Sequence, residues 1–117
     1  MLEARIQNVR EQLRKFVLER DWQQFHSPKN LAMALTAEVG ELVEHFQWLT
    51  DEESRSLSEA DLQRVREELA DVQIYVMLLA DSLSADLLSE IERKIEKNRA
   101  HYPIESSRGT HKRPPRT

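Results

Sequence analysis

The sequence has no cysteine, only two glycines, and no apolar run near the ~20 residues that cross a membrane. The missing cysteine excludes a disulfide scaffold and any cysteine-ligated zinc. So little glycine argues against a sheet protein, whose turns consume that residue. Proline is confined to Pro28 and to Pro103, Pro114 and Pro115, so long stretches run without a helix breaker. The N-terminus, MLEARIQNVREQLRK, lacks the apolar segment of a secretory signal, and the expected compartment is the cytoplasm. Acidic residues outnumber basic ones outside the C-terminus. The net charge is −4, yet residues 104–117 hold Arg108, Lys112, Arg113 and Arg116 against Glu105 alone, which leaves −7 on the rest. An acidic body lacks the basic footprint of a nucleic-acid binder, so neither nucleic acid nor membrane is an expected partner.

What is present is Leu, Glu, Arg and Ala at helical spacing over 117 residues, enough for one domain. Leu2, Ile6, Val9, Leu13, Phe16 and Val17 predict a first helix over 2–21. Ser27-Pro28 is a start signal for a second helix over 28–49, with Ser as N-cap and Pro at the first helical position. Ser58 and Asp61 open a third helix over 59–83, and Leu87, Leu88, Ile91 and Ile95 mark a fourth over 86–101, ended by Pro103. Residues 50–57 read as a polar linker. The expected fold is an all-α four-helix bundle over 1–103, followed by a basic tail, 104–117, without regular structure. Some apolar faces are wider than one small bundle buries, so an oligomer is expected.

Carboxylates interrupt two of those faces. At about 100° per residue, Glu38 lies in the middle of the stripe of Leu31, Ala34, Leu42, His45 and Leu49, with Glu41 roughly 60° to one side. Glu68 and Asp71 repeat the i, i+3 spacing at the border of the third helix's apolar face, with Tyr75 between them. A lone buried carboxylate is costly, so such groups are neutralised, paired or metal-bound. If the second and third helices pack antiparallel, the two pairs converge. Oxygen-only ligands then suit Mg²⁺ or Mn²⁺. The competing reading pairs them with Arg64, Arg66 or Lys94. A di-iron bundle needs Glu-x-x-His, and no histidine stands three residues after these carboxylates. Gly40, between Glu38 and Glu41, suits either a close helix crossing or room for a ligand.

EVGELVEHFQW followed by EELADVQIY resembles the E-x-x-E … E-x-x-D signature of the MazG-like all-α nucleoside triphosphate pyrophosphohydrolases. RDWQQFHSPKN upstream and KIEKNRAHYP downstream are similar to the dCTP pyrophosphatase branch, and the resemblance spans residues 13 to 103. It implies hydrolysis of a dNTP, dCTP above others, to the dNMP and pyrophosphate. It implies Mg²⁺ on Glu38, Glu41, Glu68 and Asp71, with Glu41 and Glu38 as the catalytic carboxylates. Carried over likewise, Trp22, Gln23, Gln24, Phe25, His26, Trp48 and Tyr75 line a base and sugar pocket. Lys94 holds phosphate and Asn98 contacts phosphate or sugar. Read without the resemblance, Trp22 and Trp48 cap the core, and Tyr75 is a core tyrosine. The chain departs from the branch at Leu13, where animal members carry a histidine. A homotetramer, built as a dimer of dimers, is also implied. The rival function is a non-catalytic helical adaptor whose basic tail binds a partner.

Overall fold

The computed structural model of the chain describes residues 1–112, and their regular structure is entirely helical. The helices are α1 (Leu2–Glu19), α2 (Pro28–Glu44), α3 (Asp51–Ser54), α4 (Glu59–Ser82), α5 (Leu87–His101) and α6 (Ile104–Ser107), with a 3-10 turn at Gln23–Phe25 between α1 and α2. None of them is long and apolar enough to cross a membrane. The chain divides into two compact units, Met1–Ser84 and the residues from Ala85 onward. In the first unit α2 packs on α4, and α1 touches α4. Val17 of α1, Leu31 of α2 and Val65 of α4 are its buried apolar side chains.

Side-chain caps explain where the helices begin. Ser27 Oγ accepts the Asn30 backbone N–H at 3.1 Å, with Pro28 at the first helical position. Ser58 Oγ accepts from the Asp61 N–H at 3.2 Å. Asp86 accepts from the Ser89 N–H at 3.3 Å and from its hydroxyl at 2.9 Å, opening α5.

Two helix ends fall short of the sequence expectation. The first helix stops at Glu19 rather than 21, where Asp21 takes a left-handed φ of 55° that aspartate tolerates better than branched residues do. The second stops at Glu44 rather than 49. From there the backbone tightens to i→i−3 bonds, His45 N–H to Leu42 O at 3.2 Å and Phe46 N–H to Val43 O at 2.9 Å. No proline or glycine marks that exit, so the periodicity runs past it. The linker expected over 50–57 contains α3, opened by a capping box: Thr50 Oγ1 accepts the Glu53 N–H at 3.1 Å while Glu53 Oε1 accepts the Thr50 N–H at 2.9 Å. In the stretch expected to lack regular structure, Ile104–Ser107 forms one helical turn. Arg113 and Arg116 of the basic tail lie outside the described residues.

The apolar stripes are less covered than their spacing predicts. Leu2 remains 73 % exposed, and Val9, Phe16, Ile91 and Ile95 are exposed too. A polar clasp, not apolar packing alone, ties α1 to the end of α4. Arg14 Nε donates to Asp81 Oδ2 at 3.0 Å and its Nη2 to Oδ1, while Arg10 Nη2 donates to Oδ1 at 3.2 Å. The Arg14 hydrogen bonds, supported by Arg10, hold the Asp81 carboxyl below its ordinary range against a smaller opposing effect of burial.

Candidate metal centre

Because α2 packs on α4, Glu68 of the second carboxylate pair meets the first pair, Glu38 and Glu41. One carboxylate oxygen each from Glu38, Glu41 and Glu68 lies within 4.8 Å of the others. Glu38 and Glu68 are half-buried, whereas Glu41 and Asp71 are exposed. Asp71 stands outside the close set, but its negative charge still acts on Glu38 and Glu68. Oε2 of Glu38 and Oε2 of Glu68 are both buried with no hydrogen-bond partner. An orphaned carboxylate oxygen is an expensive thing to bury.

The protonation pattern reflects that cost. Partial burial, then the charge and hydrogen bonding of Glu41, then the charges of Asp71 and Glu68 push the Glu38 carboxyl up to about 7. Glu68 is also raised, first by burial and then by Glu41. The arginine and lysine pairing weighed above is not what the structure holds. Arg64 bonds Asp61 at 2.9 Å, and Lys94 sits on α5 in the second unit. Among the described residues, ion pairs fall on Asp61, Asp81, Glu90 and Glu96 and none reaches the cluster. An all-oxygen donor set with two unsatisfied buried oxygens fits a hard divalent cation of the Mg²⁺ or Mn²⁺ class. Gly40 does not mark a close crossing within this chain, since a Cβ built there meets nothing within 4 Å.

The other residues singled out in the sequence are spread over several elements. Trp22 caps the 3-10 turn that carries Gln23, Gln24 and Phe25, and half-buried His26 closes it. Asn30 Nδ2 donates to Phe25 O at 3.0 Å, which ties this turn to the start of α2. Trp48, 87 % exposed, lies in the turns after α2, so it is not on the helix where the sequence pattern put it. Tyr75 is half-buried on α4. Lys94 and Asn98 are exposed on α5, one turn apart. Sequence reasoning gave no site role to Phe16, the ring beside Trp22, or to Arg20, which lies over Phe16. The Phe16 ring meets the indole edge-on, 5.6 Å between centroids, and the Arg20 guanidinium sits 3.7 Å from the Phe16 ring centroid. The i, i+4 spacing of Phe16 and Arg20 on a helix was the available signal.

The family model described as MazG-like matches residues 33–113. The chain belongs to the MazG-like family. All four acidic residues fall inside the MazG-like match, together with Trp48, Tyr75, Lys94 and Asn98, whereas the turn of Trp22 to His26 precedes it. Over 110 residues the chain is 42 % identical to dCTP pyrophosphatase 1 of Bos taurus, covering 92 % of this chain and 65 % of that protein. The Homo sapiens protein of the same name is 41 % identical over the same share of each. The chain therefore spans slightly less than two thirds of the length of these relatives. A solved pyrophosphatase from Archaeoglobus fulgidus superposes with a TM-score of 0.81 at 38 % identity, covering 85 % of this chain and 93 % of its own.

Proposed function

We propose that the chain is a Mg²⁺-dependent nucleoside triphosphate pyrophosphohydrolase that converts a dNTP, dCTP by preference, to the dNMP and pyrophosphate. Such an activity sanitises the nucleotide pool from a cytoplasmic location. The observation that carries the reading is the meeting of Glu38, Glu41 and Glu68 with two buried, unpartnered carboxylate oxygens. The names of the relatives support the reaction and the base.

In this reading Glu38, Glu41, Glu68 and Asp71 hold the cation. When bound, it supplies positive charge that offsets the triphosphate and favours ionisation of the attacking water. Glu41, the exposed member of the close set, orients that water and takes its proton on a carboxylate oxygen. Glu38, half-buried beside it, is the second catalytic carboxylate and acts as a ligand that would hold the cation against Glu41. The water oxygen bonds to the α-phosphorus as the bond from that phosphorus to the bridging oxygen breaks, and pyrophosphate leaves. Lys94 neutralises phosphate charge and Asn98, a turn further on, contacts phosphate or sugar. Trp22, Phe25, Trp48 and Tyr75 offer faces for the base, while Gln23, Gln24 and His26 supply polar contacts that discriminate among bases.

The same reading includes a homo-oligomer, a tetramer built as a dimer of dimers, in which α1, α2, α4 and α5 form a four-helix bundle. Its support is apolar surface that one chain leaves open. Met33 is 62 % exposed, and Val39, Val43 and Leu69 are exposed on the same two helices that carry the acidic cluster. The adaptor reading has no such support, and an unsatisfied acidic cluster counts against it.

The test is pyrophosphate release from a panel of dNTPs and NTPs with Mg²⁺, beside EDTA and a Glu41→Gln control. Mg²⁺-dependent release that collapses in the variant supports the enzyme and ranks the bases. A folded protein that releases nothing from any nucleotide overturns it.

A further inference from the structure

Trp22 is held by more than its own turn. Its backbone N–H donates to Val17 O at 3.0 Å. Gln24 Nε2 donates to Asp21 O at 3.0 Å and to Asp21 Oδ2 at 3.1 Å, which braces the left-handed residue just before it. These bonds fix the backbone. The indole itself is set by a different chain of contacts. Phe16 meets it at an interplanar angle of 75°, the edge-to-face arrangement that ring quadrupoles favour. Arg20 then steadies Phe16 in two ways, with its guanidinium over the ring at 3.7 Å and Nη1 donating to Phe16 O at 3.0 Å. Among the described residues no ion pair draws Arg20 toward a carboxylate. Trp22 remains 43 % exposed, which leaves room for a second flat partner.

We propose that Phe16 and Arg20 are positioning residues that set the Trp22 indole for stacking on the nucleobase, an inference that rests on the nucleotide pocket proposed above. Neither residue touches the nucleotide. Their effect passes through the angle of one ring. Stacking strength depends on that angle, and the acidic cluster does not, so loss of Phe16 or Arg20 acts on substrate affinity and spares the chemical step.

The experiment uses the full chain with Mg²⁺ and the best substrate of the panel. Steady-state kinetics are measured for Trp22→Ala, Phe16→Leu, Phe16→Tyr and Arg20→Ala. In parallel, quenching of Trp22 fluorescence by dCMP is titrated in a Trp48→Phe background, which reads stacking without turnover. Phe16→Leu is expected to raise KM and the dCMP Kd about three- to tenfold with kcat within about twofold. Arg20→Ala is expected to raise both by about two- to threefold. Phe16→Tyr, which keeps the ring, restores wild-type values. Arg20→Ala leaves the apolar contacts intact and carries the test if Phe16→Leu folds poorly. If Trp22→Ala weakens binding while Phe16→Leu and Arg20→Ala do not, the positioning role is overturned and the pocket stands. If Trp22→Ala leaves KM unchanged, and dCMP fails to quench Trp22 fluorescence in the Trp48→Phe background, the pocket reading of Trp22 falls and the inference with it. Affinity losses in the quenching arm without any turnover overturn the reaction and uphold the positioning.

Discussion

Asp81 and Glu38 are both partly buried carboxylates at helix contacts, and the chain treats them in opposite ways. Asp81 receives two guanidiniums, Arg10 and Arg14, and its carboxyl is held low. Glu38 receives two more acids, and its carboxyl is pushed up to about 7. Seventeen basic residues are available in the sequence, so a partner for Glu38 was not out of reach. A site that accumulates negative charge while cations are spent elsewhere is one built to be completed by something it binds. The Asp81 clasp shows what the same chain does when the purpose is only to hold two helices together.

The contrast breaks most sharply in catalysis. Glu38→Gln and Glu41→Gln are expected to lower turnover by about 10²-fold or more, and Asp81→Asn by less than about threefold, in the pyrophosphate-release assay. Equal losses at the two sites would erase the distinction.

A smaller effect separates them by pH. The folded chain holds the Glu38 proton up to about 7, against an ordinary 4.5, so folding takes up protons between those values. Glu38 therefore weakens the metal-free fold as pH rises from about 4.5 to about 7, and the full penalty persists above. In EDTA, the thermal midpoint should fall from about pH 5 to about pH 8, more in the wild type than in Glu38→Gln. Added Mg²⁺ should recover the loss at the alkaline end by binding the ionised cluster. Asp81 has the reverse sign. Its lowered carboxyl stabilises the fold above the ordinary 3.8, and that contribution is lost as pH falls through its depressed value.

Asp81→Asn should cost ~1 kcal/mol in denaturant unfolding near neutral pH, as expected of partly exposed pairs, and leave Mg²⁺ activation unchanged. The smallest effect belongs to the C-terminus. Removal of residues 104–117 should keep turnover within about twofold, whereas a tail-driven adaptor would lose its salt-dependent binding.

Much of this arrangement was legible in the residues. Ser27 and Ser58 announced their helices because a short polar side chain before an apolar run has one cheap local use, whereas the Asp86 cap of α5 went unread. Glu38 stood out because its angular neighbours are apolar, and Glu68 because it repeats the spacing. The end of α2 was not legible, since the tightening at His45 and Phe46 leaves no compositional trace. The Thr50–Glu53 capping box was written in the sequence and masked by the acidic character of its surroundings. Nor could spacing tell that Asp71 would stand back from the close set, because that depends on how two helices rotate against each other. The Asp81 clasp joins residues 67 and 71 positions apart, beyond the reach of any local pattern.

The small buried core of Val17, Leu31 and Val65 has one more consequence. In the assembly proposed above, subunit contacts supply apolar burial that each chain lacks, so folding and association become one equilibrium. Stability is then governed by mass action, and the unfolding midpoint climbs with protein concentration. Dilution acts as a denaturant, and the abundance of the chain sets how much of it is folded.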